Sequence, residues 1–507
     1  MISKSSAREL EVVDRSPVRQ VAALTQQTFG RSTLSRNIFW LVSSATLTVC
    51  VNALINFLLA RKLGVRAFGE WSLILASASW ILMWQTAVGS DLIRKAAQDT
   101  GYGRRAFGQS MVILLVGSAL LGGVSVLLNF ALIHKSGTVA PSILAVFAIA
   151  ATAATAISTS LFMGRDRMEW NFAASTQSLL LFLALLALST KGLTVGTVAK
   201  AYLVTSLIVA IPVVLAASWI VKPSRWGGKE LLQSSIVDVG QLFAVNWLYM
   251  LHWTLDLYLL QFLRGAADVG IYNAAFKLVI LSRILPSLIL MSVIPETARR
   301  TAAADFACLR RVWMNSTRVL LLLGGALVLA ALVFANSLVR VAYSAAYTEA
   351  ITVLMILSLA VFPIFSQVVI QSLFFAAGRY IEIIKAVTAG IVMQVIGGFV
   401  LIPYLGPKGA AIAFVIAECA ILGCLLAFSV RVLGRPSGAA VIGKVLLASF
   451  ASVCVALIGL RLHVIPSVLL ASIITLYFTL SYSLGCISVR DLSFGRSILQ
   501  DIVRGSA

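Results

Sequence analysis

Long runs of apolar residues follow one another along the chain and are separated by short polar segments. A run of about 20 apolar residues is long enough for a helix to cross the hydrocarbon core of a bilayer. Lipid offers the backbone no hydrogen-bond partners, so each run predicts a helix, whose backbone groups bond one another. The pattern predicts an all-α polytopic membrane protein with about fourteen transmembrane helices. The predicted spans are residues 37–60, 71–93, 108–133, 141–163, 170–190, 195–220, 234–262, 268–293, 316–339, 349–376, 381–404, 409–431, 439–460 and 464–486.

Composition agrees with this pattern. Of the 507 residues, 60% are apolar and 12% are charged, whereas about 25% of the residues of a soluble domain are charged. Residues 1–35 are polar and mixed in charge, and they lack the apolar core of a cleavable signal peptide, so they predict a cytoplasmic tail. The six cysteines form no CxxC pair, which argues against a disulfide framework or a zinc site. No metal or other cofactor is expected.

The distribution of Lys and Arg predicts how the chain is oriented in the membrane. With the N-terminus inside, most of these residues fall on the cytoplasmic side, as the positive-inside rule requires. Because the number of spans is even, both termini are expected in the cytoplasm. The basic residues of the cytoplasmic loops account for most of the net charge of +21. They are also attracted to anionic membrane lipid, so nucleic acid is not an expected partner.

The chain contains an internal repeat. Paired leucines, two glycines and an aromatic residue in 58–71 recur at the same spacing in 259–272, displaced by 201 residues (259 − 58). Segment 160–169 recurs as 372–382, displaced by about 212–214 residues. Each copy holds six spans, so both copies insert in the same orientation, with a pseudo-twofold axis along the membrane normal and a cavity between two lobes. The predicted organisation is an N-terminal tail (1–35), an N-lobe of six helices (36–221), a cytoplasmic linker (222–233), a C-lobe of six helices (234–432), two C-terminal helices (433–488) and a cytoplasmic C-terminal tail (489–507).

Polar side chains inside the spans mark a candidate working surface, because a charge at the centre of a transmembrane helix costs about 2.5–3.5 kcal/mol. The seventh and eighth spans hold most of them, and those of the seventh fall on one arc of the helix. We single out Arg283, since a guanidinium stays charged and its donor fork suits phosphate oxygens. Pro286 is expected to bend the eighth helix beside it. The candidate substrate-binding residues of the cavity are Asn246, Tyr249, Trp253, Asn273, Lys277, Arg283, Gln367 and Gln371.

Acidic residues in the seventh span suggest an ion site. Asp238 and Asp256 are candidates for binding a coupling ion, either H⁺ or Na⁺. The alternative is that Asp256 forms an ion pair with Lys277 or Arg283 that only holds the lobe together. Both interpretations remain open at this point.

Two further polar residues lie inside spans. Glu418, in the twelfth span, needs a partner or a proton to be stable there, and the sequence identifies no partner. His252, in the seventh span, is a lone histidine, and such a residue is more often a satisfied packing residue than a proton relay. We therefore expect His252 to have a packing role.

Three segments carry a family resemblance. They are LLARKLGVRAFGEWSLI within residues 37–91, DLYLLQFLRGAADVGIYNAAFKLV at 256–279, and VLIPYLGPKGAAIAFVIAE at 400–418. The third is similar to the pattern LIP-x-x-G-x-x-GAA-x-A between helices eleven and twelve of one family. Together the segments reach from the first helix to the twelfth, and they resemble the Wzx-type polysaccharide flippases of bacteria.

This resemblance implies the fold of the multidrug/oligosaccharidyl-lipid/polysaccharide (MOP) exporters, with two six-helix lobes that work by alternating access, as in the MATE and MurJ transporters. It implies a cargo as well, an oligosaccharide repeat unit on undecaprenyl pyrophosphate, moved from the cytoplasmic to the periplasmic leaflet of the bacterial inner membrane. The product would be O-antigen, exopolysaccharide or capsule. Coupling to H⁺ or Na⁺ and contact with the polymerase and chain-length machinery are further expectations.

Alternatives to this function remain. Lipid II flippases share fourteen helices and a cationic cavity with the expected fold. Drug antiporters of the superfamily typically have twelve helices and an acidic residue in the first, whereas residues 37–60 contain no Asp or Glu. A membrane glycan polymerase or ligase needs acid–base groups on a sizeable external loop, but the predicted external loops reach only about ten residues. The chain is therefore not expected to be an enzyme.

Overall fold

A computed structural model describes most of the chain, and the described residues are helical almost throughout and contain no strand, which confirms the all-α class. Each of the fourteen predicted spans overlaps at least one helix. The described residues are 31–98, 100–133, 136–221, 228–283, 285–286, 306–376, 379–433, 439–462 and 465–486.

The N-lobe begins with a long helix that contains a break. Gly64 has φ 77° and ψ 170° in the middle of α1, a conformation that glycine adopts at little cost. The break separates the first predicted span, 37–60, from the start of the second. The helices of this lobe are α1 (Arg31–Ala78), α2 (Trp80–Gln98), α3 (Thr100–Ile133), α4 (Val139–Met163), α5 (Phe172–Leu188) and α6 (Val195–Val221).

The C-lobe repeats this order with two interruptions. Its helices are α7 (Gly228–Leu263), α8 (Ala266–Leu281), α9 (Phe306–Ala342), α10 (Ala350–Ser358), α11 (Val361–Ala376), α12 (Tyr380–Leu405) and α13 (Pro407–Leu433). Helices α10 and α11 meet at an angle of 41° and together form the tenth span. Helix α8 ends at Leu281. After it, the N–H of Leu285 donates to the carbonyl of Ser282, three residues back, at 3.3 Å. Pro286 has no N–H for Ser282 O, which explains the break.

Helices α14 (Ala439–Arg461) and α15 (Pro466–Ser483) pack against each other and against α9, outside the duplicated helices. Among the described residues, nine helices are long and apolar enough to cross a membrane, or ten if the bent pair is one span. One of these stretches, Phe39–Ala97, covers the second predicted span and all but the first two residues of the first. The chain is thus a multi-pass membrane protein.

The two lobes meet where α1 contacts α8 and where α2 contacts α7. A Cβ atom added at Gly69 would lie 1.9 Å from the carbonyl oxygen of Ala266, and one added at Gly270 would lie 2.1 Å from that of Val65. Gly270 is the repeat equivalent of Gly69, and Ala266 is that of Val65. The contact is therefore isologous, as a twofold axis between the copies requires. We call it the glycine contact.

Backbone geometry repeats along the chain as well. The N–H of Arg167 bonds the carbonyl of Phe162, and 212 residues later Arg379 bonds Phe374 in the same way, each at 2.9 Å. The breaks at Gly64 and at Gly265, which has φ 108°, are 201 residues apart. Equivalent sequence positions thus have equivalent local structure, which is the geometry expected of a duplicated chain.

The largest apolar core runs through the contact between the lobes. Phe68 and Ile74 of α1 belong to the same buried cluster as Tyr272 of α8 and Phe414 of α13. A second buried cluster lies mainly between α2, α3 and α4 of the N-lobe and includes Val239 of α7. Because the main core is shared by both lobes, close van der Waals packing holds the lobes together at this contact.

Candidate functional site

A cavity of about 230 Å³ lies between the lobes. Met83 of α2 contributes the N-lobe wall, and helices α7, α11 and α13 contribute most of the C-lobe wall. We call it the lobe cavity. Its volume is below the range of about 300–1,000 Å³ typical of sites that enclose a drug-sized ligand, so in this state it suits a small charged group. The predicted substrate-binding residues that line it are Asn246, Tyr249, Trp253, Arg283, Gln367 and Gln371.

Arg283 supplies the positive charge of the lobe cavity. It lies two residues after the end of α8, where the helix has broken, and it lines the cavity. The guanidinium carbon sits 3.7 Å from the centroid of the Trp253 ring, close enough for a cation–π interaction. Stacking on an aromatic face leaves the edges of a guanidinium plane directed outward, where they can bind phosphate oxygens.

One face of α7 supplies the aromatic and amide groups of the lobe cavity. Asn246, Tyr249 and Trp253 are spaced i, i+3 and i+7, which places them on one side of the helix. The rings of Tyr249 and Trp253 have centroids 6.2 Å apart. The hydroxyl of Tyr249 is buried and has no hydrogen-bond partner among the described residues. A buried hydroxyl without a partner is unfavourable unless a ligand or water bonds it.

Beside the lobe cavity, a hydrogen-bonded chain of side chains leads into the C-lobe. Gln371 donates to Gln367 at 3.3 Å, and Gln367 donates to Glu418 Oε2 at 2.6 Å. The other oxygen of Glu418, Oε1, lies 3.2 Å from His252 Nε2. On the far side of the ring, His252 Nδ1 lies 2.6 Å from Gln394 Oε1. We call these five residues the buried network.

The buried network answers two questions that the sequence leaves open. The partners of Glu418 are His252 and Gln367, and both His252 and Glu418 are almost fully buried, 0% and 2% exposed. His252 does pack, with its ring stacked on Phe414 at 5.2 Å, but both of its ring nitrogens also face polar side chains. Gln394 is not among the residues predicted from the sequence, although an amide in the middle of the eleventh span is a usable signal.

Asp256, a predicted coupling-ion residue, does not line the lobe cavity. It is fully buried, and its Oδ2 accepts a hydrogen bond of 2.6 Å from the hydroxyl of Tyr272. Among the described side chains, the hydrogen bond from Tyr272 is the contact that holds this carboxylate, and no ion pair joins it to Lys277 or Arg283. Asp238 lies in α7, but its side chain is outside the described part of the structure. Among the described side chains, no group of three His, Cys, Asp or Glu residues converges on a metal-sized site.

Two more predicted cavity residues lie elsewhere. Asn273 is buried at the contact between the lobes, where it donates to Ser72 Oγ at 2.6 Å. These two positions are also repeat equivalents (273 − 72), so this bond lies beside the glycine contact and near the twofold axis. Lys277 is half-buried on α8, does not line the lobe cavity, and forms no ion pair with any described residue.

A family model described as "Polysaccharide biosynthesis protein" matches residues 34–299, just over half of the chain. No curated protein matches the sequence significantly. Among solved structures, the lipid II flippase MurJ in an inward closed conformation has a TM-score of 0.68 and 13% identity over 88% of this chain and 98% of its own.

Two other transporters give a similar result. An inward-facing multidrug resistance MATE transporter has a TM-score of 0.62 and 15% identity, and the match covers 77% of this chain and 96% of that one. A MOP superfamily transporter from Pyrococcus furiosus has a TM-score of 0.58 and 14% identity, covering 80% and 96%. At these identities the likeness concerns the fold, which is that of the MOP exporters, two six-helix lobes, here followed by two C-terminal helices.

Proposed function

Because the chain belongs to the polysaccharide biosynthesis protein family, we propose that it is a flippase for a lipid-linked oligosaccharide. Its cargo is a repeat unit on undecaprenyl pyrophosphate, which it moves from the cytoplasmic to the periplasmic leaflet of the bacterial inner membrane. The repeat unit is then used for O-antigen, exopolysaccharide or capsule. The observation that carries this proposal is Arg283, held on the Trp253 ring inside a cavity between two lobes.

The chemistry of the lobe cavity matches the head of this cargo. Pyrophosphate requires a permanent positive charge with several donors, which Arg283 provides. Sugars require flat aromatic faces and hydrogen-bonding groups, which Trp253, Tyr249 and the amides of Gln367 and Gln371 provide. At about 230 Å³, the cavity holds only a small part of such a head group, so the lobes must separate further to admit the rest. The polyprenyl tail stays in the surrounding lipid.

Transport by alternating access follows from the two lobes. The N-lobe (36–221) and the C-lobe (234–432) rock about their shared contact, and the lobe cavity opens to one side of the membrane at a time. Both termini and the linker lie in the cytoplasm. The protein carries its cargo without chemical change, so it has no enzymatic role. Its partners are membrane lipid, the lipid-linked glycan, and the polymerase and chain-length machinery that receives it.

Two other transport functions compete with this one. Export of cationic drugs is disfavoured, because the charge of the lobe cavity comes from Arg283 and because residues 37–60 contain no acidic residue. Transport of lipid II is harder to separate, since that lipid also carries a pyrophosphate. The family model, which describes polysaccharide biosynthesis, favours the oligosaccharide cargo.

The test is complementation of a deletion strain with an Arg283→Ala variant. Hydrogen bonds to charged groups contribute about 1.5–3 kcal/mol, so we expect roughly a tenfold or greater loss of surface glycan at a normal membrane level of the protein. Arg340→Ala is the matched control, because Arg340 is exposed and bonds only Asn336 on its own helix among the described residues. Arg283→Lys keeps the charge without the fork and should restore transport in part.

Other outcomes assign the function differently. The deletion strain should accumulate lipid-linked oligosaccharide on the cytoplasmic side and keep its resistance to drugs. Drug sensitivity without glycan accumulation would identify an antiporter, and accumulation of lipid II would identify a peptidoglycan precursor flippase. Full complementation by Arg283→Ala would remove Arg283 from the mechanism.

A further inference from the structure

The orientation of the Gln394 amide determines where one proton lies on His252. The amide nitrogen of Gln394 donates to the backbone carbonyl of His252 at 3.0 Å, which fixes the amide oxygen toward the ring. That oxygen lies 2.6 Å from His252 Nδ1. An amide oxygen only accepts, so Nδ1 must carry a hydrogen.

A second proton follows from the other side of the ring. With Nδ1 protonated, a neutral His252 presents a lone pair at Nε2, and this atom lies 3.2 Å from Glu418 Oε1. A lone pair and a carboxylate oxygen repel at this distance, so a proton must lie between them. Either an imidazolium donates to the carboxylate or a carboxylic acid donates to the imidazole. In both arrangements the pair holds one proton in this contact and has no net charge.

We propose that His252 and Glu418 form a one-proton site that must be occupied for the empty lobe cavity to close. Without the proton, a carboxylate faces a lone pair in a region where both side chains are almost completely buried. Burying such an unpaired charge is strongly unfavourable. Glu418 lines the lobe cavity, so separation of the lobes supplies it with water and makes the unprotonated form tolerable. Closure therefore takes up one proton and opening releases it.

The surrounding groups do not replace this proton. Among the described residues, the titratable or charged groups that interact with the pair are Asp256 and Tyr249 of α7, Tyr272 of α8, Arg283 after it, and Cys419 of α13. Helices α11 and α12 contribute amides, and the α11 amide already donates to the other carboxylate oxygen, Oε2. Arg283 attracts the charge of Glu418, and its guanidinium stacks on the ring of Trp253. None of these groups donates into the contact between Nε2 and Oε1.

The proton site is independent of the proposed function, because its occupancy makes no use of the cargo. The geometry assigns the proton, one of the two coupling ions expected above, to His252 and Glu418, and this gives the empty carrier a condition for changing state. A carrier that closes when empty only with a proton bound moves that proton on the return step of its cycle. The proton site therefore provides a route by which a proton gradient can drive transport of any cargo that enters the lobe cavity.

The test measures access to the lobe cavity as a function of pH, without substrate. The reporter is Met83→Cys in a full-length chain whose six natural cysteines have been replaced, reconstituted in lipid vesicles and labelled with a polar maleimide. Met83 lines the lobe cavity and lies outside the buried network. One released proton predicts that the labelling rate, corrected for the thiolate fraction of a free cysteine, rises by up to about tenfold per pH unit across the titration range.

Two variants separate the proton site from a general effect of pH. Glu418→Gln has the shape of the protonated acid and keeps a donor toward His252 and an acceptor toward Gln367, so labelling should be slow and independent of pH. His252→Gln places an amide N–H donor beside the carboxylate, and an amide does not titrate. This variant should therefore also remove the pH dependence. Glu382→Gln is the control, because that carboxylate pairs with Arg379 away from the cavity and its loss should leave the slope unchanged.

Two results would overturn the proposal. A corrected labelling rate in the parent reporter that does not change with pH would do so, and so would a Glu418→Gln variant that keeps the parent slope. After denaturation, all variants should take up equal amounts of maleimide, which shows that each is present in the same amount with its reporter cysteine intact. Because no glycan is added, these outcomes do not depend on whether Arg283 binds pyrophosphate.

Discussion

A methyl group added at Gly69 is expected to separate the two lobes at the glycine contact. The new Cβ would lie 1.9 Å from the carbonyl oxygen of Ala266 and 2.9 Å from the backbone nitrogen of Gly270. Both atoms belong to the backbone, so neither can move aside by rotating a side chain. Relief of the overlap requires α1 and α8 to move apart.

The size of the effect follows from this geometry. Over-packing a well-packed contact typically costs about 1–3 kcal/mol, which corresponds to about a fivefold to about a 150-fold change in an equilibrium between two states. The overlap at Gly69 involves a carbonyl carbon as well as its oxygen, so the upper half of this range applies. We expect the Gly69→Ala variant to shift the equilibrium toward the separated state by roughly 30-fold or more.

Disulfide trapping measures this shift. Ser72 and Asn273 bond each other across the same contact, so Ser72→Cys with Asn273→Cys, in a chain otherwise free of cysteine, should cross-link under oxidation when the contact is closed. Adding Gly69→Ala to this pair should lower the rate of cross-linking by the factor given above. Gly270→Ala should do the same, because it meets Val65 as Gly69 meets Ala266.

The control for this experiment is Gly123→Ala. Gly123 lies in α3, and a Cβ there would meet nothing within 4 Å, so the cross-linking rate should stay at the parent value. Equal rates for Gly69→Ala and Gly123→Ala, with all variants at normal membrane levels, would refute the reasoning. The glycine contact would then not hold the lobes together.

Two further predictions concern stability and are checked by thermal unfolding in detergent. Tyr272→Phe removes the donor to Asp256 and leaves a buried carboxyl unsatisfied, so we expect a loss of about 1–3 kcal/mol, and an unchanged midpoint would show that water replaces the hydroxyl. Arg61→Lys should cost about 1 kcal/mol, because the guanidinium of Arg61 bonds three carbonyls at the end of α9, those of Val341, Ala342 and Tyr343, and an ammonium cannot reach all of them. A variant as stable as the parent would contradict this.

Much of the fold could be predicted from apolar runs, because a helix in lipid satisfies its own backbone and needs no information about its neighbours. The duplication was also readable, since glycines such as Gly64 and Gly69 are required by backbone geometry and recur at a fixed displacement. The break in α8 followed from Pro286. These features are local, and the sequence carries them directly.

The detailed arrangement of polar groups could not be predicted in the same way. A helical projection assigns Trp253, His252 and Asp256 of α7 to one polar arc, but it does not tell which helix lies on each side of that arc. In the structure Trp253 faces the lobe cavity, whereas His252 and Asp256 face the interior of the C-lobe. His252 and Glu418 are 166 residues apart, and only tertiary packing brings them together.

The twofold glycine contact has a consequence for the history of the chain. In a homodimer of six-helix proteins with the same symmetry, one glycine codon serves both sides of the contact, and any mutation there changes both at once. Once the two copies are joined in one gene, Gly69 and Gly270 are inherited separately. A change that fits only one side can then be accepted, so gene fusion allows the closed contact to become asymmetric. Where Ser72 has come to face Asn273, the two copies have already diverged in this way.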